Sequence, residues 1–167
     1  KQHHAFISAL LGAWLLQKEF PPGDMTKPED FLPLIGYLVI HRHHGDLTSP
    51  ELVIPPPRAL DDPPHFMRAE SSMREHLKAL WSQKEDLLQG PRFGAIAEEL
   101  GGLGIKDIES FLTEKTFIVI LKSLFRLNRQ ISEGLAPEKL RTTIALWTML
   151  LFSVLIDADK HGAAGVS

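Results

Sequence analysis

The chain has no cysteine among its 167 residues. That excludes a disulfide framework and a thiolate metal site, so any transition metal must be held by imidazole and carboxylate. The same absence fits a reducing compartment, and the expected location is the cytoplasm. A basic excess is also lacking: 18 Lys and Arg stand against 21 Asp and Glu, a formal charge of −3. Proteins that wrap nucleic acid on a broad basic face draw affinity from many phosphate contacts, so any such contact here is expected to be local. Long apolar runs are missing too. Residues 6–16 and 143–156 both fall short of the roughly 20 residues a bilayer requires, so neither a transmembrane helix nor a membrane partner is expected. The N-terminal Lys-Gln-His-His runs straight into an apolar stretch but has no Ala-x-Ala-like cleavage region. It does not read as a signal peptide, and the expectation is that the chain opens mid-domain.

What is present suits a folded domain. Hydrophobic residues make up 44% and charged residues 23%, well away from the range of disordered chains, and the length suits one domain over residues 1–167. Almost every segment reads as helix. Residues 4–16 are apolar nearly all round, as in a buried helix, and Phe20-Pro21-Pro22-Gly23 ends them. Thr26 and Glu29 have capping-box spacing around Pro28, and the segment that follows runs to His44 before Gly45, with Pro33 either kinking it or delaying its start. Six of the twelve prolines lie between Gly45 and Pro64, which predicts a long irregular surface loop. Helices are then expected over 66–89, up to Leu100, over 105–112 and 117–131, and from Pro137 through Asp159. No strand and no internal repeat is evident. The expected fold class is all-α, a compact and irregular helical bundle.

Five of the eight histidines fall in two tight clusters, His3-His4 and His41 to His44, each at the edge of an apolar helix. Imidazole is the commonest metal ligand, so this placement suggests a metal site, although surface histidines also cluster by chance. His43-His44 followed by Gly45 suits a helix end, where neighbouring side chains can converge as they cannot in mid-helix. His41 shares a face with His44 and could equally cap the helix. A third element is Leu155-Ile156-Asp157-Ala158-Asp159-Lys160, where acids are expected to end an apolar helix. Carboxylates are unfavourable at the negative end of the helix dipole unless a cation compensates, whether a metal or Lys160. Only one of Asp157 and Asp159 is expected to enter a site, since residues two apart diverge.

Together, His4-Ala5-Phe6-Ile7-Ser8-Ala9, Val39-Ile40-His41-Arg42-His43-His44-Gly45 and Leu155-Ile156-Asp157-Ala158-Asp159-Lys160 resemble three successive signatures of the HD-type nuclease domain of CRISPR type I systems. This domain belongs to the HD superfamily of metal-dependent phosphohydrolases. The resemblance runs in order from His4 to about Lys160. It implies an HD-type helical domain with His4, His43, His44 and Asp159 as metal ligands and catalytic residues, and Lys160 where the family often has arginine. The family's preceding His and His-Asp motifs do not occur ahead of His4, and the expectation is that they belong to a segment upstream.

The resemblance further implies hydrolysis of DNA, chiefly single-stranded, in antiviral defence, together with a helicase domain, fused or separate, and a CRISPR surveillance complex. Imidazole-rich ligation favours one or two ions of manganese, iron, cobalt or nickel over magnesium, which prefers an oxygen shell. Arg42 and Lys160 are candidates for holding a phosphate. Two other readings share the sequence: an HD phosphohydrolase acting on nucleotides or cyclic nucleotides, and a helical interaction domain that has lost catalysis.

Overall fold

The computed structural model describes residues 3–43, 91–105, 107–111 and 113–164. Among them there is helix and no strand, so the chain is all-α. The predicted proline-rich loop and the predicted helix over 66–89 lie outside the described residues. The chain divides into two compact units, residues 1–54 with 123–167, and residues 55–122.

In the first unit, α1 (His3–Glu19) packs along α2 (Leu32–Arg42), which also meets the C-terminal helix α6 (Glu138–Ala164). A 3-10 turn, Pro28–Phe31, leads into α2 and touches both α2 and α6. The core takes Leu10, Ala13 and Trp14 from α1, Leu34, Ile35, Tyr37, Leu38 and Val39 from α2, and Leu140 and Ile144 from α6. Burial of consecutive residues almost all round α2 makes it the central helix.

Two glycines set the approach of α1 and α2. A Cβ on Gly12 would run into Ile40 Cδ1, and a Cβ on Gly36 would run into Leu16 Cδ1. Each glycine is thus a notch filled by the other helix's side chain. Moving from 12 to 16 on α1 corresponds to moving from 40 back to 36 on α2, so the pair is antiparallel.

The entry to α2 corrects the expected capping box. Asp30, and not Glu29, collects the free backbone donors: its Oδ1 accepts from Gly23 N–H at 3.1 Å, and its Oδ2 from Thr26 and Lys27 N–H at 3.1 and 3.2 Å. Thr26 turns instead to Asp24, donating its hydroxyl at 2.6 Å. That bond holds the Asp24 carboxyl below its ordinary pKa. Pro33 does not kink α2 but sits in its first turn, where a missing N–H leaves no helical bond unmade.

The second unit includes α3 (Pro91–Gly102) and the short α4 (Ile108–Phe111), and α5 (Glu114–Ser132) runs from it into the first. α3 ends at Gly102, and Gly104, with a φ of 83°, turns the chain out of it. The N–H of Ile105 then bonds to Leu100 O and that of Gly104 to Gly101 O, which satisfies carbonyls of the last turn. α5 starts earlier than the apolar periodicity predicts because Thr113 caps it, its Oγ1 accepting from Thr116 N–H at 3.1 Å. Phe111 and Phe117 pack with ring centroids 4.9 Å apart.

α6 extends past the expected Asp159 to Ala164. By length and composition alone, Glu138–His161 is long and apolar enough to cross a membrane, contrary to expectation. Its uncharged run is only 142–156, bracketed by Arg141 and Asp157. At 1.5 Å per residue that run spans about 22 Å, less than the ~30 Å hydrocarbon core. Leu140 and Ile144 bury one stripe of α6, while Leu146, Met149, Leu150 and Val154 are exposed on another.

Candidate metal centre

His43 caps the C-terminus of α2 and is half-buried. Its Nδ1 lies 2.6 Å from the Ile40 carbonyl oxygen. A carbonyl only accepts, so the geometry assigns a proton to Nδ1 and makes Nε2 the ring nitrogen that a metal would take. Metal-binding histidines are commonly oriented in this way, by a carbonyl or carboxylate on the nitrogen that does not ligate. The same bond occupies one of the carbonyls that the end of α2 leaves without a helical partner. Donor chemistry at this position therefore fits a borderline transition metal.

The antiparallel packing fixes which residues share an end of the α1–α2 pair. With 12 opposite 40 and 16 opposite 36, position 9 falls opposite His43. His4 is five residues further toward the start of α1, about 7.5 Å along the axis. The backbones of His4 and His43 thus lie at one end of the pair, although they are separated by most of two helices in sequence. The His4 side chain and the whole of His44 lie outside the described residues. Ser8, one turn after His4, is exposed.

Asp157, Asp159 and Lys160 are all exposed on the last turns of α6. Because the helix continues to Ala164, Asp159 is five residues inside it and does not end it as expected. The unfavourable dipole end is therefore further away, and the electrostatic case for a compensating cation is weaker than the sequence implied. Among the described residues, no three His, Asp or Glu side chains come together in a ligating group.

His41 and Arg42 differ from their neighbour. His41 is half-buried and stacks on Tyr37, centroid to centroid 5.5 Å at an interplanar angle of 25°. Burial, and then the charge of Arg42, lowers its pKa below the ordinary 6.5, which keeps the ring neutral at pH 7. Arg42 is half-buried, and its Nε is itself buried without a hydrogen-bond partner. The Ile40 carbonyl as the group that orients His43 was not anticipated. Its only trace in the sequence is a histidine three residues after an apolar residue at a helix end.

No protein-family model matches the chain, and neither does any curated protein or solved structure. Fold and site define an all-α chain with an oriented histidine at a helix end, and they define no family.

Proposed function

We propose that the chain is a metal-dependent phosphodiesterase of the HD type, a nuclease domain cleaving single-stranded DNA in CRISPR type I defence. The observation that carries this reading is the His43 Nδ1–H bond to Ile40 O, which turns Nε2 into the donor nitrogen at the start of a His-His-Gly sequence. The end shared by α1 and α2 supports it, because it accounts for histidines near residue 4 and residue 43 serving one centre.

His4, His43, His44 and Asp159 would hold the metal, which supplies an acidified water and positive charge for the phosphate oxygens. His43, held by the carbonyl, would ligate through Nε2 without losing further rotamer freedom on binding. Arg42, beside His43 at the end of α2, together with Lys160, would hold a substrate phosphate and orient it for in-line attack. The expected partners are a helicase, fused or separate, and a CRISPR surveillance complex, because an acidic chain has little means of retaining DNA unaided.

The test is degradation of circular single-stranded DNA by the purified protein loaded with manganese or nickel, beside a His43→Ala/His44→Ala double variant. Metal-dependent cleavage that disappears in the variant is the expected result. If neither metal supports cleavage, or if the variant cleaves as well as the parent, the reading fails.

A further inference from the structure

The last helix leaves much of its apolar surface uncovered. Among the described residues, Leu146, Met149 and Leu150 of α6 are exposed at 60%, 61% and 63%, while Leu140 and Ile144 bury the opposite side. The whole helix belongs to one compact unit. With Met149 taken as the middle of the exposed face, a turn of about 100° per residue places Thr142, Ala145, Leu146 and Ser153 within about 60° of it. The half-buried Phe152 and Ile156 share that face. Thr142, Ala145, Met149, Phe152 and Ile156 follow one another at steps of three and four, the spacing at which one helix lies along another. The two ends of the helix carry opposite charge: Glu138, Lys139 and Arg141 sum to +1, and Asp157, Asp159 and Lys160 to −1. Their distances from Met149 match as well. Arg141 and Asp157 are each eight residues from it, Lys139 and Asp159 ten, and Glu138 and Lys160 eleven. Among the described residues, none of these six charges is in an ion pair within the chain.

We propose that this face is a dimerisation seam, on which α6 of a second copy lies antiparallel with the twofold axis beside Met149. The inference is independent of the nuclease reading. A twofold interface requires a patch complementary to itself. Inversion about Met149 supplies one, because it sets the +1 end of each helix against the −1 end of the other. Lys139 and Asp157 both lie about 80° round from Met149 in the same sense, so they meet on one flank of the seam, and Arg141 and Asp159 meet on the other. If Asp159 holds a metal, Lys139 and Asp157 still fix the register. Between the ends, Met149 falls level with itself, Leu146 with Phe152, and Ala145 with Ser153, the last pair small enough to let the helices approach. A parallel pair would set like ends together. A lipid surface is a poorer occupant: the uncharged run spans only about 22 Å, and Asp157 and Asp159 at its end would face headgroups that are neutral or anionic. From 138 to 160 the face measures ~33 Å by ~10 Å, short of the ~800 Å² per partner of a standard interface, so the dimer should dissociate in the micromolar range.

The experiment is sedimentation equilibrium of the full chain in EDTA, from about 2 to 200 µM, a range that brackets a micromolar dissociation constant. The parent is compared with Met149→Lys, which sets two like charges together at the twofold axis, and with Lys139→Glu, Asp157→Lys and the variant carrying both reversals. Leu103→Ser, an exposed apolar position off α6, is the control. All four positions are exposed, and far-UV circular dichroism checks the helical content. The parent is expected to pass from monomer to dimer across the range, the control to follow it, and Met149→Lys to stay monomeric. Each single reversal should weaken the dimer roughly three- to tenfold, and the double reversal should return it to within about twofold of the parent, since the pair is restored with its signs exchanged. That recovery separates the antiparallel register from a loss of apolar surface alone. Three results overturn the seam: a parent that is monomeric throughout, a Met149→Lys variant that dimerises as the parent does, or a double reversal no tighter than the singles. Co-sedimentation of a monomeric parent with phosphatidylcholine–phosphatidylglycerol vesicles, lost in Met149→Lys, would also overturn it and give the face to lipid. Without metal no cleavage enters the measurement, so the seam and the nuclease reading fail separately.

Discussion

Asp30 shows how much one side chain can decide. Three backbone N–H groups, from Gly23, Thr26 and Lys27, converge on its carboxylate and fold the α1–α2 connection onto the first turn of the next helix. Charge-assisted bonds of this kind at a helix entry are worth about 1–2 kcal/mol in sum. Asp30→Ala should therefore lower unfolding stability by roughly 2 kcal/mol, read from the urea midpoint, while Glu29→Ala should leave it nearly unchanged. An equal loss from Glu29→Ala would restore the capping box that the sequence suggested. That error has a simple cause. Spacing marked Thr26 and Glu29 as partners, but one residue is about 100° of helix rotation, and Pro28 and Phe31 determine where the turn begins. His43 was legible as a candidate from its position before a glycine, whereas its tautomer and the carbonyl that sets it depend on backbone geometry that composition does not carry.

Among the elements, apolar periodicity revealed the described helices and their order, and its failures are at the ends. α5 is capped by Thr113, a polar residue that apolar counting ignores, and α6 continues past Asp159 to Ala164. Least visible was the α1–α2 packing, because a glycine inside an apolar helix looks like a defect in propensity. Gly12 and Gly36 are notches, and this makes a prediction with two parts. Gly12→Val should cost roughly 2 kcal/mol, since overpacking at a contact of this kind typically costs 1–3 kcal/mol. Gly12→Ala should be milder, because Ile40 Cδ1 is the end of a flexible side chain and alanine returns about 1 kcal/mol of helix propensity. Chemical denaturation of both variants checks the order. If valine is tolerated as well as alanine, the two helices do not approach as closely as Gly12 and Ile40 require.

The proposed metal site makes its widest claim for the molecule as a whole, because its residues come from the start of α1, the end of α2 and the end of α6. A ligand that binds only the folded state raises stability by about 2.7 kcal/mol at a hundredfold excess over its Kd. For a chain of this size, each kcal/mol moves the melting midpoint by about 2–4 °C. Saturating manganese should therefore raise the midpoint by roughly 5–10 °C, and His43→Ala should abolish most of that rise without much lowering the metal-free midpoint. Asp159 is the sharper case. Its exposed position five residues inside α6 suits a solvated carboxylate as well as a ligand, and the two roles predict different curves. As a ligand, Asp159→Asn should cut the manganese shift about as far as His43→Ala does, while Asp157→Asn leaves it intact. Asp159→Asn and Asp157→Asn curves that both follow the parent would remove α6 from the centre and confine it to the α1–α2 end, where the His43–Ile40 bond already provides an oriented donor.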